Sequence, residues 1–254
     1  MSVLLSARGL KIAFGGLKAA DGIDLDVEEG EFLAIIGPNG AGKTTFINMT
    51  TGYLKPMAGT ITYDGHAVLG MAPRRLVALG IARSFQLPQL FAEHTVLENM
   101  ALAIAARDGV WSALRPLMRG RRDEAMALLA SFGLARIADT RADALNEGAR
   151  KLVDIAMAVA LKPRLLLMDE PTSGVASSEK MAVVETLARV LRAARVTAVF
   201  VEHDMEVVER FADRVAVWGQ GRIQALGAPR DILNDPRVLH DVIGLSREPL
   251  RAQR

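Results

Sequence analysis

The hydrophobic positions in the first third of the chain fall into short runs that are typical of β-strands. Residues 10–14 and 23–27 alternate apolar and polar positions with a period of two, on either side of the glycine pair Gly15-Gly16. Residues 32–36 form a continuous apolar run, and residues 44–49 can open a helix directly after a glycine-rich segment. Three further elements are predicted: a strand over 59–65 closed by an Asp-Gly turn, a helix over 73–79 and a strand over 81–85.

From about residue 95 to residue 162 the pattern changes from strand-like to helical. This segment is rich in Ala, Leu, Met and Arg at helical spacing and has almost no β-branched runs. It predicts an inserted helical subdomain, with a loop over residues 111–122, where Gly and Pro interrupt the pattern. Strand signals return at 165–168, 198–202, 214–218 and 222–225. The whole pattern predicts an α/β fold, with a core formed by residues 1–94 and 163–254.

Composition and charge exclude several classes of protein. The 254 residues include 31 basic and 29 acidic side chains, and the net charge of +2 leaves no basic stripe for nucleic acid. The absence of cysteine excludes disulfides and thiolate metal sites, and the four histidines show no ligand spacing. No apolar run has the length of a membrane helix, and the N-terminus is too short for a signal peptide. We therefore expect a soluble cytoplasmic chain that meets a membrane only through partner proteins, with a loose basic tail over 247–254.

Residues 37–44 read Gly-Pro-Asn-Gly-Ala-Gly-Lys-Thr, which matches the phosphate-binding loop G-x-x-x-x-G-K-[ST] at every fixed position. Glycines let the backbone curl around an anion without Cβ clashes, and the helix that follows turns its N-terminus towards the phosphates. Lys43 would reach the β- and γ-phosphates of a nucleoside triphosphate, and the Thr44 hydroxyl would hold Mg²⁺. The alternative is a chance glycine turn before a helix. The predicted nucleotide-binding residues are Gly37, Pro38, Asn39, Gly40, Ala41, Gly42, Lys43, Thr44 and Thr45.

Two adjacent carboxylates, Asp169 and Glu170, follow the apolar strand predicted at 165–168. A short strand with only apolar residues is expected where helices cover both faces of a sheet. A carboxylate at the end of such a strand lies beside the phosphate loop, so Asp169 would hold Mg²⁺ and Glu170 would polarise the attacking water. The alternative is a strand that ends in ordinary solvated acids, and the phosphate-binding loop upstream argues against it.

Five motifs occur in a fixed order along the chain, namely residues 37–44, Gln86, residues 145–149, residues 169–174 and His203. This order resembles that of an ABC transporter ATPase subunit, and the resemblance covers nearly the whole chain. The local runs that resemble the branched-chain amino-acid importer branch are residues 14–17, 81–86, 93–99 and 201–205. The resemblance implies a P-loop NTPase core of RecA type with an antiparallel β subdomain, and a helical subdomain over 95–162 that carries the signature motif.

The same resemblance implies roles for three further side chains. Phe14 would stack on adenine, where Tyr is commoner, although a Phe at a strand end is also a typical core residue. Gln86 would contact Mg²⁺ and the attacking water, whereas a lone Gln is usually a surface residue. His203 would contact the γ-phosphate and orient the water, and its alternative is a strand-end His satisfied by a backbone carbonyl.

The signature motif departs from the family pattern. Residues 145–149 read Leu-Asn-Glu-Gly-Ala, where the family has Leu-Ser-Gly-Gly-Gln and uses it to cap the γ-phosphate on a facing subunit. Asn146 is a good N-cap, and with Gly148 it leaves the helix N-terminus able to face an anion. Glu147 would repel a phosphate unless its side chain points away. We expect the helix to end before Pro163 and to bury one apolar stripe, made of Leu152, Ile155, Ala156, Val159 and Ala160.

A second departure follows Gly174, where Val175-Ala176 replaces the family's Leu-Asp at the dimer-facing loop. Both departures lie on the surface that would meet a second ATPase subunit. They favour a heterodimer in which this chain supplies one intact ATP-binding half and one modified cap. A homodimer, and a sublineage with an altered but working cap, stay open.

The resemblance implies an ATP-hydrolysing subunit of a bacterial importer for branched-chain or related amino acids or small carboxylates. Two such subunits would close on two MgATP and drive two membrane permease subunits at the inner face of the plasma membrane, while a periplasmic protein delivers the solute.

Three alternatives stay beside this function. A regulatory cassette that binds ATP without efficient hydrolysis fits the altered cap, but the retained Glu170 and His203 argue against it. A soluble ABC ATPase of DNA repair or translation usually has two cassettes or a coiled-coil arm, which this chain lacks. An exporter cassette would not show the similarity seen over 81–99. The sequence does not name the solute.

Overall fold

The computed structural model describes residues 2–109, 118 and 120–238. Its strands are β1 (Val3–Phe14), β2 (Leu17–Glu28), β3 (Phe32–Ile36), β4 (Ala58–Tyr63), β5 (His66–Ala67), β6 (Ile81–Ser84), β7 (Leu165–Asp169), β8 (Thr197–Val201), β9 (Arg214–Gly219) and β10 (Arg222–Gly227). Its α-helices include α1 (Lys43–Thr50), α2 (Pro73–Ala78), α3 (Val96–Asp108), α4 (Arg122–Ser131), α5 (Glu147–Ala160), α6 (Ser177–Ala193), α7 (Met205–Phe211) and α8 (Pro229–Leu233). The predicted loop over 111–122 lies largely outside the described residues, and the predicted tail over 247–254 lies wholly outside them.

A six-stranded sheet with the order β10-β9-β3-β8-β7-β6 forms the centre of the fold. Its strands run in parallel from β9 to β6, and β10 pairs antiparallel with β9 at one edge. Every residue of β3, β7 and β8 is buried. The continuous apolar runs in the sequence are therefore confirmed as strands covered on both faces.

A second sheet is antiparallel and has the order β2-β1-β4-β5. β1 and β2 have 12 residues each and meet at Gly15 and Gly16, whose φ angles of 52° and 91° fit the tight connection. Both strands are longer than the predicted runs over 10–14 and 23–27. The reason is that their register shifts at several points, including between Ala7 and Leu10, and each shift interrupts the period-two pattern.

Two apolar cores lie on opposite faces of the central sheet. On β3, Phe32, Ala34 and Ile36 belong to the core shared with α3, α4, α5 and α6. Leu33 and Ile35 belong to the core shared with the antiparallel sheet and α1. Helices α3, α4 and α5 therefore pack on one face of the central sheet, and the antiparallel sheet packs on the other.

The ends of the inserted helices are held by local polar contacts. Thr95 accepts a hydrogen bond from the Glu98 N–H at 3.2 Å, and the Glu98 carboxylate accepts one from the Thr95 N–H at 2.8 Å, which together form a capping box. The Arg107 guanidinium, near the end of α3, donates to both carboxylate oxygens of Glu124 on α4, at 2.7 and 3.0 Å. Among the described residues, no helix combines the length and the apolar character that crossing a membrane requires.

Candidate active site

The candidate site lies where four neighbouring parallel strands end. β3 leads into the phosphate loop, β6 into the segment that contains Gln86, β7 into Glu170 and β8 into His203. These strands are adjacent in the order β3-β8-β7-β6, so their carboxyl ends meet at one edge of the sheet. The sheet thus brings together residues that are far apart in the chain.

The phosphate loop depends on glycine at two close approaches of the backbone. A Cβ atom on Gly37 would lie 2.1 Å from the Trp218 carbonyl oxygen, and one on Gly42 would lie 1.9 Å from the Ala19 carbonyl oxygen. Gly42 also has a φ of 105° and forms the N-cap of α1. Pro38, Asn39, Gly40 and Thr44 are exposed, Thr45 is half-buried, and Ala41 is buried beneath the loop. The loop therefore presents an open backbone surface above a helix N-terminus, which is the geometry of an anion site.

Lys43 lies across this loop. Its buried ammonium group donates hydrogen bonds to the Gly37 and Pro38 carbonyl oxygens, at 2.6 and 2.9 Å. Burial lowers the pKa of Lys43, and the nearby carboxylates of Glu170 and Asp169 oppose that effect. A desolvated cation with only neutral carbonyls as direct partners is suited to binding an anion at this position.

Asp169 and Thr44 offer oxygen ligands next to the loop. The Thr44 hydroxyl donates to Asp169 Oδ1 at 3.4 Å. The buried Asp169 Oδ2 accepts no hydrogen bond from any residue that the structure describes, and Arg83 Nη2 lies 3.6 Å from it. Burial raises the pKa of Asp169, because desolvation disfavours the free carboxylate. One carboxylate and one hydroxyl would supply about two of the six oxygen ligands that octahedral Mg²⁺ takes, so these residues fit that ion. No group of three or more His, Cys, Asp or Glu side chains that could hold a metal occurs among the described residues.

Glu170 stands between Gln86 and His203. Its Oε1 lies 3.1 Å from His203 Nε2, and its Oε2 accepts a hydrogen bond from Gln86 Nε2 at 3.5 Å. Glu170 has a left-handed φ of 51°, which turns its side chain away from the line of β7. Glu170 thus contacts both of the other candidate catalytic side chains predicted from sequence. A carboxylate held between an imidazole and an amide can accept a proton from a bound water.

Phe14 lies at the end of β1 and is 48% exposed. The alternative of a core Phe at a strand end is therefore wrong. An exposed ring at the tip of a hairpin is available to stack on a planar base.

The signature segment contacts the loop after Glu170 in the same chain. Asn146 Oδ1 accepts a hydrogen bond from the Ala149 N–H at 2.8 Å, which confirms the predicted N-cap of α5. The Glu147 side chain folds over Gly174, where an added Cβ would lie 2.5 Å from its Oε1, and Gly148 faces Val175. The two departures from the family pattern are therefore adjacent in space.

Glu202 is a site residue that the sequence reasoning missed. It is only 3% exposed, and its Oε1 accepts hydrogen bonds from the Thr172 hydroxyl at 2.8 Å and the Thr172 N–H at 3.3 Å. Its Oε2 accepts from the His203 N–H at 3.1 Å. Burial raises the pKa of Glu202, and these donors act in the opposite direction. A carboxylate at the end of an all-apolar strand was the available signal, but its partners are visible only in three dimensions.

The predicted single apolar stripe on α5 is wrong in part. Leu152 is half-buried, whereas Val153 and Ala158, outside the predicted stripe, are buried together with the charged residues Lys151 and Asp154. The helix is covered on more than one face because it packs against the sheet and also against the Gln86 segment. The signal for this arrangement was that Lys151 and Asp154 flank apolar residues of the helix.

Known proteins are similar to this chain over most of its length. A sequence profile of the family described as ABC transporter matches residues 20–173. The chain is 35% identical over 249 residues to LivG of Salmonella typhimurium, named a high-affinity branched-chain amino acid transport ATP-binding protein, with 95% of this chain and 98% of LivG covered. BraF of Pseudomonas aeruginosa carries the same description and is 34% identical over 251 residues, with 95% and 98% covered.

Solved structures show the same fold. MJ1267, described as an ATP-binding cassette of an ABC transporter, superposes with a TM-score of 0.86 at 31% identity, covering 97% of this chain and all of that one. A dimeric post-hydrolysis structure of the cassette MJ0796 bound to ADP and Pi superposes with a TM-score of 0.77 at 26% identity, covering 89% of this chain and 99% of that one. With a family profile across more than half of its length and relatives similar from end to end, the chain belongs to the ABC transporter family, as an ATP-binding, ATP-hydrolysing subunit.

Proposed function

We propose that this chain is the ATPase subunit of a bacterial importer for branched-chain amino acids or related small carboxylates. The observation that carries the proposal is the contact of Glu170 with both His203 and Gln86, at the sheet edge where the phosphate loop lies. The names of the LivG and BraF relatives support the solute class. The solute itself would bind other subunits, so no residue of this chain selects it.

In the proposed complex, residues 37–45 wrap the triphosphate of ATP. Lys43 exchanges its two carbonyl partners for the β- and γ-phosphates, and the exposed Phe14 ring stacks on adenine. Thr44, Asp169 and Gln86 are the residues that would hold Mg²⁺. When bound, the ion neutralises phosphate charge during hydrolysis.

Hydrolysis then depends on Glu170 and on the two side chains that contact it, His203 and Gln86. Glu170 accepts a hydrogen bond from water and draws its proton as the water oxygen attacks the γ-phosphorus and the bond to the β–γ bridging oxygen breaks. His203 contacts the γ-phosphate and orients the water, and Gln86 contacts the same water from the other side. Asn146 and Gly148 act on a facing ATPase subunit, where the N-terminus of α5 caps the γ-phosphate.

A groove next to the Gln86 segment is the proposed docking surface for a permease subunit. It has a volume of about 410 Å³ and is lined mainly by apolar residues of α3, α5 and the segment after β6, including Phe85, Phe91 and Met157. Arg83 and Asp154 add charged groups to the lining. Leu87, next to Gln86, is 75% exposed. An exposed apolar side chain beside an apolar groove favours a protein partner over bulk water. The chain would then lie on the inner face of the plasma membrane, and a periplasmic solute-binding protein would act on the permeases from the other side.

A specific observation keeps a second function in view, namely a regulatory or weakly hydrolysing cassette in a heterodimer. Glu147 introduces a carboxylate next to the anion-facing N-terminus of α5, and Ala149 lacks the amide group that the family has there. Glu147 and Ala149 belong to the cap that this chain would present to the ATP site of the facing subunit. Glu170 and His203 belong to the chain's own ATP site. The two functions therefore differ in which of the two sites of a dimer hydrolyses ATP.

The test compares two substitutions in the chain's own site. Glu170→Gln keeps the shape and removes the proton acceptor, so we expect turnover to fall by about 10²–10⁴ while ATP affinity is retained. Lys43→Ala removes the cation beside the phosphates, so we expect ATP affinity itself to fall. Steady-state ATPase assays of the permease complex and nucleotide titrations separate the two effects. Normal hydrolysis by the Glu170 variant would remove that residue from its proposed role.

A further inference from the structure

The backbone on both sides of Gln86 is held by two buried charged residues of α5. Lys151 is 1% exposed, and its ammonium group donates to the carbonyl oxygens of Phe85 at 2.7 Å and Gln86 at 3.1 Å. Asp154 is 6% exposed, and its carboxylate accepts from the Phe85 N–H at 2.9 Å and the Gln89 N–H at 3.2 Å.

Lys151 also joins this segment to the metal-site strand. Its third hydrogen bond goes to the Asp169 carbonyl oxygen at 3.0 Å. A single ammonium group thus connects the backbone of Gln86 to the end of β7, where Asp169 and Glu170 lie. The distance between the Gln86 side chain and Glu170 therefore depends on this connection as well as on the two side chains.

Burying these charges is costly unless hydrogen bonds replace the lost water. Burial lowers the pKa of Lys151 and raises the pKa of Asp154, as desolvation predicts for both groups. Both side chains form hydrogen bonds with backbone groups of residues 85–89. This segment follows the end of β6 at Ser84 and forms no strand or helix of its own. Backbone groups outside regular structure need such partners, so α5 supplies the order that the segment lacks.

We propose that Lys151 and Asp154 are positioning residues for ATP hydrolysis, which hold Gln86 beside Glu170 and lock the Gln86 segment to the strand end that carries Asp169. The inference rests on the proposed roles of Gln86 and Glu170. It adds that α5, which begins at the cap motif, also sets the geometry of the chain's own site. Lys151 lies about one helical turn beyond Glu147 and Asp154 about two turns beyond it. A shift of α5 when its N-terminus meets the facing subunit would therefore move the Gln86 segment with it.

The first measurement is amide hydrogen exchange of the full-length chain without nucleotide. Asp154→Asn keeps the shape but replaces one acceptor oxygen with an amide donor that faces an N–H group. We expect exchange at Phe85 and Gln89 to rise about tenfold, the effect of losing one buried hydrogen bond. The matched control is Lys162→Met. Lys162 is an exposed lysine just beyond the end of α5, and its ammonium group contacts Glu124 rather than the Gln86 segment. The control variant should leave exchange over residues 85–89 unchanged.

The second measurement is steady-state ATPase activity of the permease complex with Lys151→Met and Asp154→Asn. We expect kcat to fall by about tenfold or more with KM for ATP changed less than about threefold, because the phosphate loop is untouched while Gln86 is displaced. Parental kcat in Asp154→Asn, unchanged exchange over residues 85–89, or a uniform rise of exchange throughout the chain would each overturn the inference. Glu170→Gln is assayed in parallel. If it lowers kcat while both α5 variants do not, only the positioning role fails, and if it has no effect, the proposed function fails.

Discussion

The chemistry of this site depends on how single side chains are oriented by their neighbours. Glu170 has a left-handed backbone, and the contacts with His203 and Gln86 define the side on which its carboxylate is available. Glu202 lies one residue before His203 and points the other way, into the protein, where it holds Thr172 and the His203 backbone. The two residues that follow β8 thus have different roles. His203 faces the site, and Glu202 holds the two loops that border it.

The role of Glu202 can be tested with Glu202→Gln. A carboxylate accepts hydrogen bonds at two oxygens, whereas the Gln amide accepts at one. In the variant, an NH₂ donor would therefore face backbone N–H groups that now donate to the second carboxylate oxygen of Glu202. We expect kcat to fall about tenfold, the equivalent of one unpaired buried hydrogen bond, while ATP affinity stays close to that of the parent. Glu206→Gln, at an exposed carboxylate in the first turn of α7, is the control and should leave kcat unchanged. An equally silent Glu202 variant would show that the loops hold their positions without it.

The helices of this protein differ in what specifies them. α3 begins with a complete capping box at Thr95 and Glu98, which is readable from four consecutive residues. α5 has the local N-cap that was predicted at Asn146, but its packing includes Lys151 and Asp154, whose partners in the Gln86 segment lie 65 to 69 residues away in the chain. Local patterns therefore locate both helices, while the charged contacts of α5 depend on the fold.

The cap of α3 gives a prediction about stability. Thr95→Ala removes the hydroxyl that accepts from the Glu98 N–H, so we expect the free energy of unfolding to fall by about 0.5–2 kcal/mol in denaturant titrations. Thr186→Ala is the matched control, because the Thr186 hydroxyl is exposed within α6 and only contacts the carbonyl of Ala182. The control should change stability by no more than about 0.5 kcal/mol. Equal losses in both variants would mean that the capping box does not stabilise α3.

The molecule as a whole is built around a sheet with a separate apolar core on each face. The helical segment shares one core and the antiparallel sheet shares the other, and β3 contributes alternate residues to both. No helix in the part of the chain that the structure describes is both long enough and apolar enough to cross a bilayer. Glu31, at the start of the central sheet, is a buried carboxylate outside the site, 3.3 Å from Arg214.

Glu31 should make global stability depend on pH. Burial raises the pKa of Glu31 to about 7, although Arg214 opposes the shift. A raised carboxylate pKa means that the folded state binds the proton more tightly, so this group's contribution to stability falls as pH rises from about 4.5 to about 7. As the pH rises from 5 to 8, the free energy of unfolding of Glu31→Gln should therefore increase relative to that of the parent. We expect the increase to be about 1–2 kcal/mol in denaturant titrations.

The control for the Glu31 variant is Glu29→Gln, because the pKa of Glu29 is shifted in the opposite direction to that of Glu31. Arg164 lowers the pKa of the exposed Glu29 carboxylate, so its contribution is present at neutral pH and is lost as pH falls. The Glu29 variant should therefore show no gain at pH 8. A Glu31 variant that follows the parent at every pH would exclude Glu31 as a source of pH dependence.

Much of the fold and half of the site can be read from local patterns. Residues 37–44, the apolar strand before Asp169 and the N-cap at Asn146 each need only a few consecutive residues, because glycine geometry, strand burial and helix capping are local effects. The longer β1 and β2 could not be read in full, since their register shifts depend on pairing with partner strands. The predicted apolar stripe on α5 failed for a related reason, because burial there is decided by what packs against the helix.

The chain order of residue types was therefore sufficient for the α/β class, the nucleotide loop and the identities of the catalytic candidates. The fold alone brought Glu170 between Gln86 and His203, and placed Lys151, Asp154 and Glu202 where they hold the loops of the site. The physical reason is that a buried charge is tolerated only where distant backbone groups satisfy its hydrogen bonds, and those groups are not neighbours in the chain.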